Sequence, residues 1–238
     1  MPNFQTFSSS HLIVMGLTLA VPILLAAIAR RRAAATIGYI LAGAILTNEL
    51  TSLGYRFADF DLTDFIRYDL PLHVCGIAVF ATAATLVFRN QRAYEIAYFW
   101  GLVGTSNAVI TPPLGEGEGF PSYRFLQYFI AHSGIVAGVL YATIGLRLRP
   151  TLRGLFRAFI CANLFAIVVG GFNVVMDSNY MYLCDPPRTA SPFFFAPWPW
   201  YIPILDVVAL GMFFAVFSPF LISGWWSARR TEDSTREL

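Results

Sequence analysis

Seven times along this chain a run of about 20 apolar residues recurs, each long enough to cross a hydrocarbon core roughly 30 Å thick. The runs are His11–Ala29, Ala33–Phe57, Leu70–Phe88, Ala93–Ile110, Arg124–Gly145, Leu155–Val175 and Trp200–Ile222. Within hydrocarbon, backbone N–H and C=O groups must be satisfied inside their own segment, so such runs fold as helices. Only 13% of the residues are charged, against about 25% in soluble domains. The expectation is an all-α, polytopic bundle of seven transmembrane helices in a single domain. Residues 1–10 form a short outer N-terminus, 11–222 the bundle and 223–238 a disordered cytoplasmic tail.

Orientation follows from the arginines. Arg30, Arg31, Arg32, Arg89, Arg92, Arg147, Arg149, Arg153, Arg157, Arg229, Arg230 and Arg236 fall on one side of a seven-span chain. Arg56, Arg67, Arg124 and Arg188 fall on the other. Basic loops stay cytoplasmic, which puts the N-terminus outside and the C-terminus inside. The first run is not expected to be a cleaved leader, since nothing basic precedes it and three arginines follow. The chain has no lysine, which excludes a retinal-type or any other Schiff-base mechanism. On the outer side, TPPLGEGEGFPSY (111–123) is too rich in Pro and Gly for regular helix. The 176–199 segment, with FFFAPWPWY at its end, suits the headgroup layer, either as an aromatic anchor or as a cap over the bundle.

With this topology the polar residues inside the spans gather in one layer on the outer side. Cys75, His132, Glu49, Asn107, Asn173 and Asp206 come from six different helices, whereas the inner halves hold few ionisable groups. Polar groups at membrane depth are costly and mark functional sites, and a one-sided layer fits a cavity opening outward better than a conduction path. Arg124, Tyr128 and His132 are spaced by four and line one helix face. Glu49 and Asp206 also read as structural acids paired with asparagine.

Cys75 stands out for its position. Asp69 as N-cap and Pro71 in the first turn place the thiol in the second turn, near free N–H groups that favour a thiolate and stabilise an oxyanion. Two other roles compete: a packing cysteine, as expected of Cys161, or a disulfide with Cys184. His73 and Cys75, two residues apart on a helix, point to opposite faces.

Five blocks, DLPLHVCGIAVF, AYFWGLVGTSNAVITP, GFPSYRFLQYFIAHSGIV, NYMYLCDPP and PWPWY, together resemble the YwaF-like family of bacterial integral membrane proteins, from about Phe7 to Pro219. That family is distantly similar to eukaryotic transmembrane acyltransferases that remodel ether phospholipids, and more remotely to androgen-induced transmembrane lipid hydrolases that use Thr and His. In the acyltransferases one Cys and one His on two helices do the chemistry. Cys75 and His132 match them by order, helix and a separation of 57 residues. The sequence around the eukaryotic cysteine differs from PLHVCG, so the substrate does not carry over.

The resemblance implies a membrane-embedded lipid acyltransferase or hydrolase working through a Cys75–His132 thioester, with phospholipid and lysophospholipid as substrates and no cofactor. Glu49, Asn107, Tyr123, Arg124, Tyr128 and Asp206 would support the site, and Arg124 would hold the lipid phosphate. Nucleic acid is not an expected partner, and the expected location is the bacterial cytoplasmic membrane. One alternative is a zinc lipid hydrolase built on His11, His73 and His132, although none of these pairs has helical metal spacing. The other is a non-catalytic transporter or binding protein, against which the lack of inverted repeats argues only for the transporter.

Overall fold

The computed structural model describes residues 2–29, 33–187 and 196–236, with side chains through residue 222. Arg30–Arg32, Arg188 and Phe193–Phe195, on which the charge count and the aromatic-anchor expectation partly rest, lie outside the described residues. The described residues are helical and contain no strand. The helices are α1 (Ser9–Ile28), α2 (Ala33–Asp59), α3 (Leu62–Asp64), α4 (Val74–Phe88), α5 (Gln91–Ile96), α6 (Ser106–Ile110), α7 (Tyr123–Ile144), α8 (Leu152–Met176) and α9 (Tyr201–Arg236). A π-helical turn at Phe65–Asp69 extends α3, and a longer one at Ala97–Thr105 joins α5 to α6 without a gap.

Five helices (α1, α2, α7, α8 and α9) are individually long and apolar enough to cross a membrane, and Leu62–Asp69 with Val74–Phe88, bent by 80°, makes six candidates when the pair is counted as one span. This is a multi-pass membrane protein. The run 91–110 is divided into three shorter helical stretches because its helix changes winding twice, although its backbone stays helical throughout. Helix α9 continues to Arg236, through the stretch expected to be a disordered tail.

The lipid-facing surface reads directly from burial. On α1 only His11, Thr18 and Pro22 are buried, while Leu12, Ile13, Leu17, Leu19, Ile23 and Leu24 are exposed. In water such a surface would aggregate; against acyl chains it costs nothing. Helix α2 buries Ala34, Gly38, Ala42, Ile45, Glu49 and Ser52, a stripe at helical spacing with small residues at one end. Small residues let helix backbones approach where no hydrophobic force drives association. At Gly138 on α7 a Cβ would sit 2.5 Å from Thr82 of α4, so the α4–α7 contact depends on glycine there.

The segment 91–110 runs through the middle of the bundle. Tyr94, Ala97, Phe99 and Trp100 are buried, and their polar ends find partners on other helices. Trp100 Nε1 donates to the Ala158 carbonyl of α8 at 3.0 Å, Tyr98 Oη to Val216 of α9 at 2.7 Å, and Tyr94 Oη pairs with Thr143 of α7 at 2.9 Å.

The two ends of the bundle differ. At one, the N-terminal strap binds the 111–122 loop through Phe4 N to Gly115 O (2.9 Å) and Gly119 N to Pro2 O (2.8 Å). At the other, Glu95 of α5 is buried against the start of α8, an ionisable group outside the polar layer read from the sequence. Its Oε1 accepts from Thr151 (2.7 Å) and Gln91 (3.0 Å), and its Oε2 faces Arg157 at 3.4 Å. A Cβ on Gly154 would fall within the Glu95 carboxylate, so the glycine makes room for this buried pair.

Candidate functional site

Helix α4 begins later than the caps suggested. Its N-cap is His73, while Asp69 closes the preceding π-turn and binds Arg56 of α2 at 2.8 Å. Leu70–His73 form a break that folds over the new helix: a Cβ on Gly76 would lie 2.8 Å from the Pro71 carbonyl. Cys75 is therefore in the first turn rather than the second. The thiol sits among the first-turn N–H groups of α4, which have no helical partner a turn earlier. All three cysteines are free thiols; Cys75 does not pair with Cys184, and Cys161 packs against the main core.

The Glu49 carboxyl on α2, the Tyr128 hydroxyl on α7 and Tyr182 in the loop after α8 are within electrostatic reach of the Cys75 thiol. Glu49 in turn feels Arg56, the residue that anchors Asp69. No asparagine pairs with Glu49; Asn48 beside it donates to the Gln127 carbonyl instead. Asp206 does pair as expected, accepting from Asn163 at 3.0 Å between α8 and α9.

On α7 the predicted face is present as a stack. The Arg124 guanidinium lies 6.0 Å from the centre of the Tyr128 ring, and that ring stacks on His132 with centroids 4.1 Å apart and planes 23° from parallel. His132 Nδ1 lies 2.8 Å from the Tyr128 carbonyl oxygen. A carbonyl only accepts, so Nδ1 carries the proton and the lone pair of a neutral ring is on Nε2. Nε2 has no hydrogen-bond partner among the described residues. Tyr128 Oη donates to the Ala108 carbonyl at 3.0 Å, fixing the stack to the end of α6. Arg124 already meets one anion, Glu118, at 3.6 Å.

Two expected members of the site lie elsewhere. Asn107 is exposed, and its backbone and side-chain oxygens accept from Thr111 in the last turn of α6. Tyr123 is 56% exposed and leans on Tyr55 at the rim. A helix residue facing outward cannot join a cavity its own helix walls off.

The three histidines do not converge. His11 is fully buried rather than interfacial, with Nδ1 accepting from Phe7 N at 2.9 Å and Nε2 donating to Val109 O at 2.8 Å. It and Tyr128 satisfy terminal carbonyls of α6, groups that no helical N–H can reach. His73 Nδ1 accepts from Met181 N at 3.3 Å. Among the described residues no three His, Cys, Asp or Glu side chains group as metal ligands, and His11 has no free nitrogen to offer. The three-histidine zinc set does not assemble.

The loop after α8 supplies what sequence reasoning missed. Asn173, buried at the end of α8, accepts from Ser178 Oγ and Tyr180 N and donates to Tyr180 O, each at 2.9 Å. Tyr180 Oη donates to Ile66 O and accepts from Leu70 N, both at 2.9 Å, so it clamps the break before α4. Met181 and Tyr182 then adopt φ of 58° and 56°. This left-handed region costs roughly 1–2 kcal/mol per ordinary residue, and such strain concentrates at functional sites. Tyr201 Oη holds the turn by donating to Tyr182 O at 2.6 Å. Burial raises the Tyr182 phenol, and charge on the nearby Cys75 raises it further, so it remains a neutral hydroxyl beside the thiol. His73 and Cys75 converge on Tyr182 because His73 precedes the helix, where opposite-face geometry does not apply.

The geometry defines a polytopic helical membrane protein with a thiol in the first turn of α4 and an imidazole on α7, a helix that contacts α4. Over residues 6–217 the chain matches the TMEM164 family, to which it belongs. No curated protein and no solved structure matches it.

Proposed function

We propose that this protein transfers or hydrolyses acyl chains of membrane lipids through a thioester on Cys75, with His132 as the general base. The tautomer of His132 carries this reading: Nδ1 is committed to a carbonyl, which leaves Nε2 as a base. TMEM164 itself is associated with ether-lipid acyltransferase activity, which supports a lipid ester as substrate.

In the first step Nε2 takes the Cys75 proton and the sulfur attacks the ester carbonyl carbon. The N–H groups at Cys75 and Gly76 are near the developing oxyanion. As the C–O bond breaks, the imidazolium returns the proton to the departing lysolipid oxygen, leaving an acyl thioester. In the second step a lysolipid hydroxyl, or water, loses its proton to Nε2 and attacks the thioester, and the thiol leaves reprotonated. Glu49 and Tyr182 are assigned to polarising the cavity, the Tyr128 ring to shaping it, and Arg124 to holding the stack. Seven crossings follow if the helical run 91–110 is counted as one. The arginines then put the Cys75 end at the outer leaflet of a bacterial cytoplasmic membrane.

Intact-mass analysis after incubation with phospholipid tests the chemistry. An acyl adduct on Cys75 is expected in the native protein and absent in Cys75→Ala. Cys75→Ser should fail as well, because a hydroxyl is far less acidic than a thiol. Full lipid-modifying activity in purified Cys75→Ala protein rules the thioester out.

A further inference from the structure

A cavity of about 620 Å³ lies between the π-turn after α3, the 111–122 loop and the loop that follows α8. Arg67, Tyr68, His73, Tyr182 and Asp185 are in its wall. Its charges are of both signs and are not spent on each other. Arg67 has one ion-pair contact among the described residues, to Asp177 at 3.9 Å, and that carboxylate is 91% exposed. The guanidinium therefore keeps most of its five donors for a ligand. His73 Nδ1 accepts from Met181 N, so its ring proton is on Nε2, a second donor at the same wall. Asp185 supplies the anion, and Tyr68 and Tyr182 supply aromatic rings of the kind that bind ammonium groups.

We propose that this cavity seats the zwitterionic headgroup of a phospholipid, with the phosphodiester on Arg67 and His73 and the ammonium at Asp185 and the tyrosine rings. The proposal rests on the lipid-acyl reading above and adds the headgroup class and the residues that select it. Arg67 has only the long contact to the exposed Asp177, and Asp185 has no ion pair among the described residues, so the cavity offers one charge of each sign and matches a ligand with both. A purely anionic headgroup would leave Asp185 facing a hydroxyl or a second negative group. The cavity also adjoins the start of α4, because His73 in its wall is the N-cap of the helix whose first turn carries Cys75. A lipid with its headgroup here has its ester linkages directed toward the thiol.

Binding is measured on the full chain carrying Cys75→Ala, in detergent, with short-chain phosphatidylethanolamine, short-chain phosphatidylglycerol and inorganic phosphate as probes. Phosphatidylethanolamine should bind at least tenfold more tightly than phosphatidylglycerol, and inorganic phosphate should not displace it. Arg67→Gln should weaken both lipids at least tenfold, whereas Asp185→Asn, a loop change compatible with folding, should erase the preference between them. Equal affinity for the two lipids, or full displacement by inorganic phosphate, overturns the headgroup assignment. So does a loss on Arg124→Gln that Arg67→Gln does not produce. Because the variant has no nucleophile, these results are independent of the chemistry. Selective binding without an acyl adduct on the native protein removes the thioester and leaves the cavity, and the reverse pattern removes the cavity alone.

Discussion

His132 donates from Nδ1 to the Tyr128 carbonyl, so side chains that keep or lose that donor separate packing from chemistry. His132→Asn retains an N–H near the Nδ1 position but has no base. Acyl transfer should fall roughly 10²–10⁴-fold, the usual contribution of a general base, while the unfolding temperature stays close to native. Single-turnover assays beside thermal unfolding in detergent check this, and full activity in His132→Asn removes the base role. Tyr128→Phe loses only the bond to Ala108, about 1 kcal/mol, and should keep activity, since the ring stack survives. Tyr182 gives a proton-linked test of proximity. Its phenol is raised first by burial and then by charge on Cys75. Cys75→Ala removes the second cause only, so the phenol should ionise at lower pH, and a high-pH absorbance titration differenced against Tyr182→Phe reads the shift. An unmoved titration means the two groups are not neighbours. At this scale the Arg124–Tyr128–His132 face was legible in the sequence, because helical spacing alone defines it. The sequence could not show Tyr182 or Tyr180. They act from an irregular loop whose path is set by Asn173 and by backbone in left-handed geometry, and no periodicity reports on that.

Between elements, small residues set how closely the helices that carry the site approach. Gly138 faces Thr82 so tightly that a Cβ would come within 2.5 Å of its methyl. Gly138→Val should wedge α4 from α7 and cost about 1–3 kcal/mol, as overpacking does. Activity should fall with stability, because these two helices carry Cys75 and His132. Thermal unfolding and acyl transfer measured together check it; a fully stable and active Gly138→Val protein means the contact is looser than the structure indicates. At the opposite end Gly154 leaves room for Glu95, a carboxylate that meets Arg157, Thr151 and Gln91. Because the Arg157 side chain is 41% exposed, the loss falls mainly on the hydrogen bonds to the Glu95 carboxylate, each about 1.5–3 kcal/mol for a charged group, and Glu95→Leu should destabilise by about that order without altering the chemistry of the protein that folds. The long apolar runs made the helices legible, but two details escaped. The break at 70–73 falls inside a continuous apolar run, where Pro71 reads equally well as a first-turn proline. The π-turn at Ala97–Thr105 follows from where Tyr98 and Trp100 find carbonyl partners on α9 and α8, which is tertiary information.

For the whole molecule the open quantity is the number and direction of crossings. Five long helices and one bent pair are apolar and long enough to cross. The run 91–110 passes through the centre of the bundle, contacting α4, α7 and α9, so it has little lipid surface and does not need the length of an exposed span. Counting it gives seven crossings and puts the termini on opposite sides. The arginines then choose the direction: Arg89, Arg92, Arg147, Arg149, Arg153 and Arg157 cluster at the end distant from Cys75, and basic loops remain cytoplasmic. The same choice turns the cavity between Arg67 and Asp185 toward the outer leaflet. Single cysteines placed in each loop, in a chain with Cys75, Cys161 and Cys184 replaced, should report it. An impermeant thiol reagent added to sealed cells should label residues 111–122 and 177–187 and spare 89–90 and 146–151 until the membrane is opened. Labelling of the 146–151 turn in sealed cells inverts the orientation and moves the proposed site to the inner leaflet. Labelling of 89–90 and 111–122 from the same side shows that 91–110 does not cross, and the bundle then has six spans with both termini on one face.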